Sequence, residues 1–82
     1  MRGIEWTGAA LEDMAALDGG IARRVKQTVE RFANTGVGNV KRLQGIDPPE
    51  YRLRAGDYRV RFHLEGATIQ VLRVRNRREA YR

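Results

Sequence analysis

Residues 51–64, Tyr51-Arg52-Leu53-Arg54-Ala55-Gly56-Asp57-Tyr58-Arg59-Val60-Arg61-Phe62-His63-Leu64, alternate apolar and basic or polar side chains on both sides of a Gly-Asp pair. A period of two is that of a strand with one face buried. The Gly56-Asp57 interruption is a tight-turn signal, so the stretch predicts a β-hairpin. Tyr51, Leu53, Ala55, Tyr58, Val60, Phe62 and Leu64 share one face. Arg52, Arg54, Arg59, Arg61 and His63 share the other. A one-residue slip would drive the arginines into the core, so the alternation itself sets where they lie.

Downstream, Glu65-Gly66 is a second turn, and Thr68 to Arg75 reads as a third strand. Leu72 and Val74 take its apolar face, and Arg73 and Arg75 the basic one. Parity places Ile69 and Val71 with those arginines, so that face is expected to be only partly polar. Arg77 extends the basic parity beyond the strand. Upstream, Pro48-Pro49 sets the entry to the hairpin, and Gln44 to Glu50 reads as a loop.

The first half has a different period. Gly3 to Trp6 reads as a short strand, with Thr7 as the N-cap of a helix that places Leu11, Met14, Ala15 and Leu17 or Asp18 on one buried face. Asp18-Gly19-Gly20 breaks that helix, and Asp18 is placed to cap the next. Ile21, Val25, Val29 and Phe32 follow at helical spacing, opposite Arg23, Arg24, Lys26, Gln27 and Glu30. Asn34-Thr35-Gly36 ends the second helix. The apolar face of the meander needs a cover, and the helical hairpin is the apolar partner available. The expectation is an α+β fold over residues 1–82: an N-terminal strand and a helical hairpin packed on one face of an antiparallel sheet, with arginines on the other.

Composition narrows the function. The 82 residues contain no cysteine, which excludes disulfides and thiolate chemistry, and the formal charge is +6. Residues 1–40 hold five bases and five acids, whereas residues 41–82 hold eleven bases, ten of them Arg, against five acids. Arginine suits bidentate phosphate contacts, and a one-sided field points to a polyanionic partner. A solvated, solubilising surface is the plainer alternative. Against it, guanidinium groups about 5 Å apart on neighbouring strands repel unless something negative sits among them. No apolar run approaches a membrane span, and the N-terminus does not read as a signal peptide, so a cytoplasmic location without membrane contact is expected. No metal-ligand cluster or Gly-rich phosphate loop appears, and neither a metal nor a cofactor is expected.

RNA can be cleaved by its own 2′-hydroxyl if a protein aligns the attack, stabilises charge on the phosphate and moves protons. Arginines supply the stabilisation but not the base, since a guanidinium keeps its proton in a protein. His63 is either that base or an exposed polar group on a strand. Tyr81 is either a ring packed on the sheet or a platform for a base.

Three segments together carry a resemblance: Lys41-Arg42-Leu43-Gln44-Gly45, Tyr51-Arg52-Leu53-Arg54-Ala55-Gly56-Asp57-Tyr58-Arg59-Val60, and Arg77-Arg78-Glu79-Ala80-Tyr81-Arg82. In the order strand, two helices, strands, the chain resembles the RelE/ParE superfamily of toxin–antitoxin toxins over nearly its whole length. The resemblance implies a microbial-ribonuclease-like fold and a ribosome-dependent endoribonuclease that cuts mRNA in the A site. The products would be a 2′,3′-cyclic phosphate and a 5′-hydroxyl. It implies catalytic roles for Arg52, Arg54, Arg59, Arg77 and Tyr81, with Arg59 and Arg77 on the phosphate and Tyr81 stacking on or orienting the base or hydroxyl. Lys41, Arg42, Arg61, Arg73, Arg75 and Arg78 would bind RNA. A cognate acidic, RelB-like antitoxin is implied as partner, together with the ribosome. The best-known relatives carry lysines where this chain has Arg52 and Arg54, which leaves the general base open. The alternatives are a ParE-like inhibitor of DNA gyrase and an inactive member that only binds its antitoxin.

Overall fold

A computed structural model describes residues 2–80, with the elements β1 (Gly3–Trp6), α1 (Gly8–Ala15), α2 (Gly19–Thr35), β2 (Val40–Arg42), β3 (Tyr51–Ala55), β4 (Tyr58–Glu65), β5 (Thr68–Asn76) and α3 (Arg77–Ala80). The five strands form one sheet in the order β1-β5-β4-β3-β2. Strands β2 to β5 are antiparallel neighbours, and β1 adds to β5 as a parallel edge strand. The sheet is therefore mixed at one edge. The two helices carry the chain from β1 at one edge of the sheet to β2 at the other. Strand β2 lies in a stretch without a clear period-two signal. It is three residues long, and its pairing with β3 rather than its own pattern defines it.

Both helices start where their caps predict. Thr7 accepts from the Ala10 N–H, and Asp18 accepts from the Gly20 N–H. Gly36 closes α2 with φ of 75°, its N–H donating to the Phe32 carbonyl. Both hairpins turn on Gly-X pairs, with φ of 61° at Gly56 and 56° at Gly66 and no positive φ at the residue that follows either glycine. That is the pattern of a type II′ turn, whose first central position requires φ above zero.

The core lies between the helices and one face of the sheet. Val25, Val29, Phe32 and Ala33 of α2 and Ala10 of α1 meet Leu53, Ala55, Val60, Phe62, Ile69, Val71 and Val74. Phe62 is fully buried, with its ring 5.5 Å from those of Phe32 and Tyr51. Burying such a ring contributes roughly 1.5–3 kcal/mol, so a thin core of this kind depends on each of its large side chains. Three helix residues expected inside are outside: Leu11 is 55% exposed, Ile21 is 36% exposed, and Ala15 is exposed. On α1, Ala10 fills the inner position instead, because a side chain without branches lets the helix approach the sheet.

The expected placement of Ile69 and Val71 is corrected by the register of β5. Phe62 pairs with Val71 and Arg61 with Arg73, which leaves Leu72 as an extra, unpaired residue. A bulge of this kind shifts the pleat by one. It carries Ile69 and Val71, 1% and 0% exposed, into the core, while Val74 stays there and Arg73 and Arg75 stay opposite. The apolar phase of Ile69-Gln70-Val71-Leu72-Arg73-Val74 breaks between Val71 and Leu72, and the bulge absorbs that break. Thr7 secures it, since its hydroxyl lies 2.8 Å from the Val71 carbonyl and 3.2 Å from that of Leu72.

Candidate nucleic-acid interface

Strand pairing assembles the basic face from β2, β3, β4 and β5. Lys41 stands opposite Arg52, Arg52 opposite Arg61, and Arg61 opposite Arg73, forming one row across four strands. Arg54 stands opposite Arg59, and Arg59 opposite Arg75, forming a second. Neighbours within a row have Cβ atoms about 4.5–5.5 Å apart.

The rows differ in what neutralises them. In the first, Arg61 donates from Nε and Nη2 to the Glu50 carboxylate. Arg73 donates from Nε at 2.9 Å and from Nη2 at 3.1 Å to Asp13 of α1. The Asp13 carboxylate also accepts the Val74 N–H at 2.9 Å. Arg52 has an interaction of its own within the fold. In the second row Arg54 is exposed, Arg75 is half-buried, and neither forms an ion pair with another described residue.

Arg59, at the centre of the second row, is 6% exposed and is the one buried charged residue among those described. Its Nη1 donates to the Gly56 carbonyl at 2.9 Å and to the Tyr58 carbonyl at 3.1 Å. No described carboxylate pairs with it. A guanidinium withdrawn from water, bonded to carbonyl dipoles and without a counter-ion among the described residues has remaining donors that suit an anion. The turn that holds Arg59 also holds the start of α3, through the Arg77 N–H donating to the Asp57 carbonyl at 2.7 Å. Arg77 is exposed at that end of the sheet.

Other expected site residues fall elsewhere. Arg42 pairs with Tyr51, whose parity is that of the core, so it lies on the helix side of the sheet. Arg78 is exposed in α3, its N–H donating to Asn76 Oδ1 at 3.1 Å. Tyr81 lies outside the described residues. His63 is on the basic face but pairs with Gln70, four residues along β4 from Arg59. That separation is about 13 Å, so His63 is not beside Arg59. Its Nε2 is buried without a hydrogen bond, 3.7 Å from Glu50.

Two residues that sequence reading did not assign to this surface, Asp13 and Glu50, therefore shape it. Strand β1 pairs only with residues 68–71 of β5, and α1 packs against β5 beyond that point. Asp13 then meets the free N–H of Val74 and the Arg73 side chain. Burial works against ionisation of Asp13, but the Arg73 hydrogen bond, the Val74 N–H and the charges of Arg73 and Arg75 outweigh it. The carboxyl is held below its ordinary range. The Asp13 hydrogen bond likewise raises Arg73. Among the described residues no helix is long and apolar enough to cross a membrane.

Two helices on one face of a five-stranded sheet, with arginine rows on the other, match the architecture of the RelE-like toxins. The family described as the ParE toxin of the type II toxin–antitoxin system parDE matches residues 4–81. Toxin RelE3 of Methanocaldococcus jannaschii is 30% identical over 76 residues, which cover 87% of this chain and 85% of the relative. The toxin fold in the RelB-RelE antitoxin–toxin complex from Methanococcus jannaschii superimposes with a TM-score of 0.75 at 26% identity, covering 94% of each chain. YafQ from E. coli gives a TM-score of 0.76 at 14% identity over the whole of both chains, a likeness of fold. This chain belongs to the ParE toxin family of type II toxin–antitoxin systems, within the RelE/ParE superfamily.

Proposed function

We propose that this toxin is a ribosome-dependent endoribonuclease that cleaves mRNA in the A site, restrained by an acidic, RelB-like antitoxin. The observation that carries the reading is Arg59, a buried cation with no described carboxylate partner, flanked in its row by Arg54 and Arg75. A buried charge kept without its own counter-ion is costly, and a phosphate supplies the missing partner. Arg59 and Arg77 then stabilise the charge that develops on the phosphate oxygens as the 2′-hydroxyl attacks phosphorus. The P–O5′ bond breaks, leaving a 2′,3′-cyclic phosphate and a 5′-hydroxyl. Arg52 and Arg54 hold the backbone on the 5′ or 3′ side of the cut. Among the described residues, no group that readily loses a proton near neutral pH adjoins Arg59. The described residues therefore contribute positioning and charge stabilisation. A ribosome that presents the message in a fixed shape complements that contribution.

The acidic segment of the antitoxin competes for the same open row, since a carboxylate and a phosphate satisfy a guanidinium in the same way. Primer extension on ribosome-bound message in a reconstituted translation reaction tests the nuclease reading. Cuts are expected with the wild-type chain, and a loss of about 10²–10³-fold with Arg59→Ala. Intact message together with gyrase trapped on DNA would replace this reading with the ParE-like one. Neither effect would leave a family member that only binds its antitoxin.

A further inference from the structure

Glu50 is a surface-loop acid by sequence, yet its side chain is only 13% exposed. It stands immediately before β3, and its carbonyl accepts the Leu43 N–H at 2.9 Å, so the 43–50 connection is closed at its base and Glu50 is anchored there. One carboxylate oxygen, Oε2, takes both hydrogen bonds from Arg61. The other, Oε1, faces His63 Nε2 at 3.7 Å, beyond hydrogen-bond range. That ring nitrogen is buried and has no other partner. Arg61 and His63 are alternate residues of β4 on the basic face, and Arg59 precedes them at the same spacing. Successive positions of this series are about 6.7 Å apart.

The geometry points to Glu50 as an internal substitute for a backbone phosphate, occupying an anion subsite lined by Arg61 and His63 that extends from Arg59 along β4. This rests on the reading of the basic face as an RNA surface. A carboxylate and a phosphodiester each present charged oxygens to a guanidinium fork, and Glu50 already supplies one to Arg61 and turns the other toward His63. RNA lying across Arg59 and running along β4 meets an ion pair there, Arg61 already neutralised by Glu50, instead of an open cation. Glu50 thereby limits how many phosphates the face engages, and its removal lengthens the track by one.

The experiment measures binding of a short 2′-O-methyl RNA, which lacks the attacking hydroxyl, to the full chain over a series of salt concentrations. Each phosphate contact on a single strand contributes about 0.7 to the slope of log affinity against log salt. Glu50→Ala and Glu50→Gln are each expected to steepen the slope by about 0.7. Glu50→Ala/Arg61→Gln is expected to lose that gain. The Gln variant keeps the side-chain volume, so it remains informative if the Ala variant folds poorly. An unchanged slope in the Gln variant, or a gain that survives loss of Arg61, overturns the inference. Arg54→Gln is the control on the underlying reading: it should flatten the wild-type slope by about 0.7, while Arg23→Gln on α2 should not. If Arg54→Gln and Arg23→Gln behave alike, the RNA face is wrong; if only the Glu50 variants fail, the face stands and the subsite does not.

Discussion

The Arg59 guanidinium and the Arg77 backbone are held by one two-residue turn: the Gly56 carbonyl accepts from Arg59 Nη1 at 2.9 Å, and the Asp57 carbonyl accepts the Arg77 N–H at 2.7 Å. A side chain of β4 and the first residue of α3 are thus referred to the same short stretch of backbone. Neither contact uses a carboxylate, and no described carboxylate pairs with either guanidinium.

Function and stability should separate at Arg59. Arg59→Ala is expected to lower mRNA cleavage by about 10²–10³-fold, the loss typical of removing one donor to a developing oxyanion. Arg59→Met, which fills the same space without a buried charge, should be inactive and at least as stable as the wild type. Thermal unfolding and primer extension on the same preparations check this. A destabilised Met variant would mean that the buried cation is balanced inside the fold.

The shared turn can be perturbed without touching an arginine. Gly56→Ala and Gly66→Ala place a Cβ at φ of 61° and 56°, and each is expected to cost about 1–2 kcal/mol. Their effects on cleavage should differ. Only the Gly56 turn holds Arg59 and Arg77, so only Gly56→Ala should reduce the rate per folded molecule. Equal rates in the two variants would show that the anchor is dispensable.

Asp13 makes stability depend on acid. Its carboxyl is held below the ordinary range in the folded chain, so the stability it contributes is fully present above the unfolded value of about 3.9 and is lost as the pH falls through the lower folded value. Asp13→Asn should therefore unfold more easily than the wild type at pH 7. The gap should narrow as the pH drops below about 3.9, where the wild-type carboxyl takes up its proton. Denaturant melts across that range measure it, and a gap that stays constant with pH would assign the role to packing alone.

Thr7 joins the cap of α1 to the bulge in β5. Its oxygen accepts the Ala10 N–H at 3.2 Å, and its hydroxyl lies 2.8 Å from the Val71 carbonyl. Thr7→Val keeps the shape and removes the hydroxyl. The expected loss is about 1–2 kcal/mol, at the upper part of the range for an N-cap because a second partner is also left unpaired. Hydrogen exchange should accelerate at residues 70–74 of β5 as well as at the start of α1. A change confined to the helix would argue against the link.

The alternation of residues 51–64, the caps at Thr7 and Asp18 and the glycine turns are local patterns, and they determined by themselves that an arginine-bearing hairpin would pack its other face under two helices. Covalent geometry is enough for that, because side chains on a strand alternate whatever the strand meets. Which of those arginines stay open was decided in three dimensions. Asp13 is sixty residues from Arg73 and Glu50 eleven from Arg61, and no periodicity relates them. The Leu72 bulge, the parallel docking of β1 and the burial of Arg59 likewise come from fitting one element against another. Charge composition indicated a basic face, but packing chose which cations were matched internally and which were left for a ligand.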